Sequence, residues 1–141
     1  MEYWILEPDV AGGLGEGTLM DRRTHPPTVS RLHYAFQGWL GDELLTTFPC
    51  YIVTERVRQA LARRAATGCA FDEVQVTTEY PFDELHPGRR LPPFTWLKIT
   101  GRAGVDDFGL SADHRLVVSS RALGCLREFQ LAHCQIEAFV G

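Results

Sequence analysis

Two stretches of the chain carry residue types that could hold a phosphate. AGGLGEGT near the N-terminus is spaced with glycines, and VDDFGLSADHRLVV, residues 105–118, contains Asp107-Phe108-Gly109 followed by His114-Arg115-Leu116. In protein kinases a glycine loop covers the ATP phosphates, a lysine pairs with them, an HRD segment supplies the base and DFG holds magnesium, in that order. Here the histidine segment follows the DFG, its third residue is Leu116, and the single lysine, Lys98, is far from the glycines. That arrangement is excluded. A phosphate loop of another class would run from a strand straight into a helix, whose N-terminus faces the anion. TLMDRRTHPP follows instead, and Pro26 and Pro27 exclude an early helix.

The other reactive residue types are scattered. His25, His33, His86, His114 and His133 form neither H-x-x-x-H nor H-E-x-x-H, so a metal site would need tertiary assembly, with His133 beside Cys134 or His114 beside Asp113 as contributors. Ser119 and Ser120 lie in VVSSR, which lacks the G-x-S-x-G elbow that forces a nucleophile outward, and a capping role is simpler. Cys50, Cys69, Cys125 and Cys134 include no C-x-x-C and read as buried free thiols. Asp106 with Asp107, and Asp83 with Glu84, are adjacent carboxylates in turn-like segments, where solvation and partner contacts are more usual than acid–base work. In WLGDELL, Trp39 stands beside Asp42 and Glu43, an aromatic residue ringed by charge of the kind that binding surfaces use. No residue is assigned to catalysis, a cofactor or a metal. Trp39, Asp42, Glu43, Asp83, Glu84, Asp106 and Asp107 are the candidate partner-binding residues.

Composition narrows the setting. A chain of 141 residues with 45% hydrophobic and 23% charged residues suits one folded domain, which at this size buries roughly 68 to 70% of its unfolded surface. No run of 18 apolar residues occurs, and MEYWILEPDV has acidic residues where a signal peptide is basic, so the expected location is cytoplasmic, without membrane contact. The net charge of -4 disfavours nucleic acid as partner. Acidity is regional: Asp72, Glu73, Glu79, Asp83 and Glu84 fall in a stretch, Ala65 to Gly88, that has no lysine or arginine. The preference for arginine, alanine and glycine fits a GC-rich bacterial genome.

The elements that would position these residues follow from periodicity. Tyr3 to Leu6 reads as a strand, residues 8–30 as mostly loop, RLHYAF as a strand with Leu32, Tyr34 and Phe36 on one face, and WLGDELLTTFP as a turn with a short helical segment. CYIV then predicts a buried strand, Thr54 a helix cap, Val57, Ala60, Leu61 and Ala65 an apolar helical face, Gly68 the left-handed end, and FDEVQVTTEY a returning strand. The plan recurs sixty-five residues later: RLVV, Ser119 as cap, Ala122, Cys125, Leu126 and Phe129 as the stripe, and CQIEAFV as the return. At that offset Val53, Arg56, Leu61 and Cys69 match Val118, Arg121, Leu126 and Cys134. A strand is expected from Trp96 to Thr100, and DFG falls in a turn where Gly109 relieves the backbone and the aspartates are solvated. The expectation is a single α+β domain over 1–141, a mixed β-sheet with two similar strand-helix-strand units, 50–80 and 115–140, packed on it.

FPCYIVTERVRQAL after an extended segment, then TGCAFDEVQV, then an aspartate-rich turn before HRLVVSSRALGCL, together resemble small bacterial immunity proteins encoded beside polymorphic toxins. The resemblance covers about the last two thirds of the chain. It implies a stoichiometric inhibitor that binds a cognate toxin in the producer's cytoplasm, and it transfers no catalytic residue; the acidic stretches suit a partner with a basic surface. Two other readings stand beside it: a small enzyme, marked by histidine and carboxylate side chains in one pocket, and a homo-oligomeric accessory domain with an apolar patch at a two-fold interface.

Overall fold

Most of the regular structure of this chain is strand, and the innermost strands are buried on both faces. The computed structural model describes residues 2–140. In chain order the elements are β1 (Tyr3–Glu7), β2 (Gly12–Leu14), β3 (Leu19–Asp21), β4 (Thr28–Phe36), β5 (Leu44–Thr47), β6 (Cys50–Thr54), α1 (Glu55–Arg63), β7 (Cys69–Asp72), β8 (Val74–Thr78), α2 (Phe82–Leu85), β9 (Phe94–Ile99), β10 (Phe108–Leu110), β11 (Leu116–Ser119), α3 (Ser120–Leu126) and β12 (Gln135–Ala138). The fold is α+β, mostly β, in one small domain. Its strands form three four-stranded sheets: β5-β6-β9-β7, β10-β11-β1-β12, and one built on β4, which pairs antiparallel with β2 and β3 and parallel with β8.

The first two sheets repeat one plan. In each, an antiparallel hairpin (β5–β6, β10–β11) leads into a helix (α1, α3), and the return strand (β7, β12) pairs with a strand inserted beside the hairpin (β9, β1). Registers coincide. Tyr51 faces Leu97 as Leu116 faces Leu6, and Phe71 faces Leu97 as Ile136 faces Leu6. Hydrogen bonds coincide as well: Glu55 N–H donates to Pro93 O as Ser120 N–H donates to Glu2 O, and Thr54 N–H donates to Glu43 O as Ser119 N–H donates to Asp107 O. The inserted strands are exchanged, because β1 precedes the first hairpin yet lies in the second hairpin's sheet, and β9 precedes the second hairpin yet lies in the first.

Two cores result. Val57, Ala60 and Leu61 of α1 meet Ala122, Leu123, Cys125 and Leu126 of α3 over one apolar cluster with Leu6, Val53, Leu97 and Val118. The opposite face of the first sheet, through Leu45, Ile52 and Trp96, packs on Leu32, Tyr34 and Phe36 of β4. The run CYIV is apolar without alternation, as suits β6, which is buried on both faces.

The structure departs from the sequence reading at several points. The units do not share a sheet; they share a core. Residues 8–30 lie mostly outside regular structure, as expected, but β2, β3 and the start of β4 also fall there, held by β4 rather than by any pattern of their own. LLTT is strand rather than helix, because Leu44 enters one core and Leu45 the other. The return strand of the first unit ends at Asp72, and Val74 to Thr78 joins the third sheet. Ala65 is exposed and itself takes the left-handed position after α1, with φ 50°, while Gly68, φ 79°, serves the next turn. Phe108 and Gly109 are strand, and Gly109 is needed for space: a Cβ there would stand 2.2 Å from Ala103 N.

Candidate functional site

The seven candidate residues separate into two sets. Asp42, Glu43 and Asp107, expected at a partner surface, are buried and bind the chain to itself. Glu43 accepts from Arg56 (Nε, 2.5 Å), from the Thr54 hydroxyl (3.0 Å) and, across the units, from Gln130 N–H (2.9 Å). Asp107 is its counterpart. It accepts from Arg121 (Nη2, 2.5 Å), from the Ser119 hydroxyl (2.6 Å) and, across the units, from Thr67 N–H (2.9 Å). Burial pushes the Asp107 carboxyl up, but the bonds from Arg121, Ser119 and Thr67 outweigh it and hold the group at about 2. Glu43 is lowered by the same contest between burial and its donors. Thr54 therefore holds Glu43 instead of capping α1 with its side chain, whereas the Ser119 oxygen also accepts from Ala122 N–H and does cap α3.

Asp42 is fully buried and accepts from His133 twice, at the backbone (2.8 Å) and at Nδ1 (2.9 Å), and this raises the imidazole pKa. This carboxylate–histidine pair orients a ring, but neither residue lines the groove described below. Among the described residues no three His, Cys, Asp or Glu side chains gather closely enough to hold a metal ion. His33 accepts from Gly17 N–H and contacts Thr77 Oγ1 at 2.7 Å, a structural use of the ring. The four cysteines are free, and burial pushes the Cys134 thiol up to about 12, which suppresses the reactive thiolate.

The second set is Trp39, Asp83, Glu84 and Asp106, of which only the three carboxylates reach solvent. Asp83 and Glu84 are exposed on α2, and Asp106 is half-exposed and accepts from Arg102 N–H. Pro81, Leu85 and His86 on and around α2 face the 38–40 segment and Val10 across a groove of about 380 Å³. Trp39 forms part of its wall. The indole is buried, its N–H donates to Asp42 O (2.8 Å), its backbone N–H donates to His86 Nε2, and Arg89 stacks on the ring 4.5 Å from its centre. Trp39 is thus an anchor that fixes the groove, not an exposed contact.

Three large apolar side chains stand in this groove in water: Val10 is 60% exposed, Leu40 55% and Leu85 60%. Apolar surface gathered in this way, with carboxylates at its margin, is the composition of a docking site. Sequence periodicity missed Val10, Leu40, Leu85 and His86 because each is isolated among Gly, Pro and acidic residues. The only cue was that they belong to no apolar stripe.

Comparison with protein-family models and with curated proteins gives no match.

Proposed function

We propose that the chain is a non-enzymatic binding protein of the immunity type, which neutralises a cognate protein toxin in the bacterial cytoplasm by stoichiometric occupation. The observation that carries this reading is the groove: apolar Val10, Leu40 and Leu85 in solvent, on a rigid Trp39 wall, beside α2 with Asp83 and Glu84 outermost. Exposed Asp83 and Glu84 beside Leu85 on α2, with Asp9 in the groove lining, suit a partner that sets basic residues next to an apolar contact. The resemblance noted from FPCYIVTERVRQAL and HRLVVSSRALGCL points to the same class of partner.

The partner to test is the product of a toxin gene adjoining this one. A one-to-one complex is expected by calorimetry, weakened at least tenfold by Leu85→Arg. Reversing Asp83 and Glu84 to lysine lowers the association rate and flattens its salt dependence, because long-range attraction is screened over roughly 10 Å at 0.1 M salt. The melting temperature stays near wild type, since solvated charges contribute little to folding. Unchanged binding by both variants would defeat the reading. A self-association that Leu85→Arg abolishes would assign the groove to a second copy of the chain.

A further inference from the structure

The repeated plan breaks at one place. In the second unit the chain continues past β12, and Phe139 N–H donates to Tyr3 O (2.9 Å), which covers the end of the inserted strand β1. Register equates Phe94 of β9 with Tyr3, since Thr54 faces Phe94 as Ser119 faces Tyr3. In the first unit the residue equivalent to Phe139 is Val74, and it does not go there. It starts β8 and pairs with Leu32 in the third sheet. Pairing of β7 with β9 stops at Asp72 opposite Trp96, and Glu73 N–H turns back to the Asp72 side chain. The edge of β9 at Phe94 is left without a strand.

A cleft of about 520 Å³ opens there, between Phe71, Val74, Phe94 and Thr95, with Asp72 and Glu73 at its rim. Asp72 is paired with Lys98 at 3.0 Å; Glu73 is exposed and has no ion-pair partner among the described residues. We propose that this cleft receives an extended, lysine- or arginine-bearing segment of a protein partner as an added strand on the free edge of β9. The other half of the molecule shows the occupant's form, because the equivalent edge is covered by an extended, antiparallel segment of backbone. Main-chain bonds to Phe94 fix the segment's direction, its side chains alternate between the Phe71 face and the Phe94 face of the sheet, and its cation meets Glu73. Pro93 O is already taken by Glu55 on the β6 side, and Pro92, the next residue whose main chain faces the open edge, has no N–H, so the added ladder is short and side chains carry most of the selectivity.

This deepens the binding reading and rests on it, but it uses a surface separate from the groove. The probe is a phage-displayed library of random dodecapeptides panned on the whole chain. Enriched peptides should alternate apolar residues with lysine or arginine and slow hydrogen exchange of the Phe94 amide at least tenfold by NMR. Glu73→Lys should weaken them at least tenfold and Glu73→Gln severalfold, while Leu85→Arg leaves them unchanged. Failure of any peptide to enrich overturns the proposal, as does enrichment of peptides indifferent to Glu73→Lys that leave Phe94 unprotected. Peptides lost in Leu85→Arg but kept in Glu73→Lys would sustain the groove and remove the cleft.

Discussion

Asp107 and Glu43 show how residue identity can be read correctly and its use misread. Both carboxylates were visible in the sequence, one in a turn-like run of aspartates and the other beside a tryptophan. What could not be seen is that each takes an arginine two positions into the following helix and a backbone N–H from the opposite unit. Such a carboxylate stabilises folding in proportion to its lowered pKa. Asp107, held at about 2, contributes fully above its unfolded value near 4, and that contribution is lost as pH falls through about 2. About two pH units correspond to roughly 2 kcal/mol. Asp107→Asn should lower stability by about 2 to 3 kcal/mol, less than a fully buried pair because the Arg121 side chain is 49% exposed. Its acid unfolding limb between pH 4 and 2 should also be shallower than that of the wild type; limbs of equal slope would show that Asp107 is not the titrating group.

At the scale of elements, periodicity was a sound guide wherever one face met a core. The stripes Val57/Leu61 and Ala122/Leu126 are buried as their spacing implied, and the two helices meet each other through them. Leu61→Ala and Leu126→Ala should each cost about 2 to 5 kcal/mol in denaturant unfolding, because each leaves a cavity in the shared cluster. A loss under about 1 kcal/mol at either site would remove that helix from the core. Periodicity failed for LLTT and for the short strands β2 and β3. In the first, adjacent leucines serve opposite cores; in the second, three-residue strands are held only by their neighbour β4.

The whole molecule is tied together by strand exchange. The inserted strands β1 and β9 lie outside both hairpin-helix units, and each precedes in the chain the hairpin whose sheet it does not join, so neither unit has a complete sheet by itself. Unfolding should therefore be a single cooperative transition. Trp4 reports the second sheet and Trp96 the first, and variants keeping only one of them should give coincident urea midpoints by fluorescence. Separated midpoints would mean that the exchanged strands do not couple the units. The reciprocal bonds Gln130 to Glu43 and Thr67 to Asp107 close the same tie at the side-chain level.

The amino-acid order by itself determined the α+β class, the strand-helix-strand plan and its recurrence, because hydrophobic spacing and the Ser119 cap are local properties that survive in a string of letters. Tertiary structure decided which sheet each strand joined, which carboxylates were withdrawn from solvent, and where apolar side chains were left in it. Those outcomes depend on contacts between residues far apart in the chain: β1 with β11, Asp42 with His133, Val10 beside Leu85. The groove and the cleft were illegible for that reason. Each forms where the chain leaves the repeated plan, at the β2 to β4 insertion and at the diversion of Val74 into β8, and periodicity there marks a strand without saying which sheet it joins.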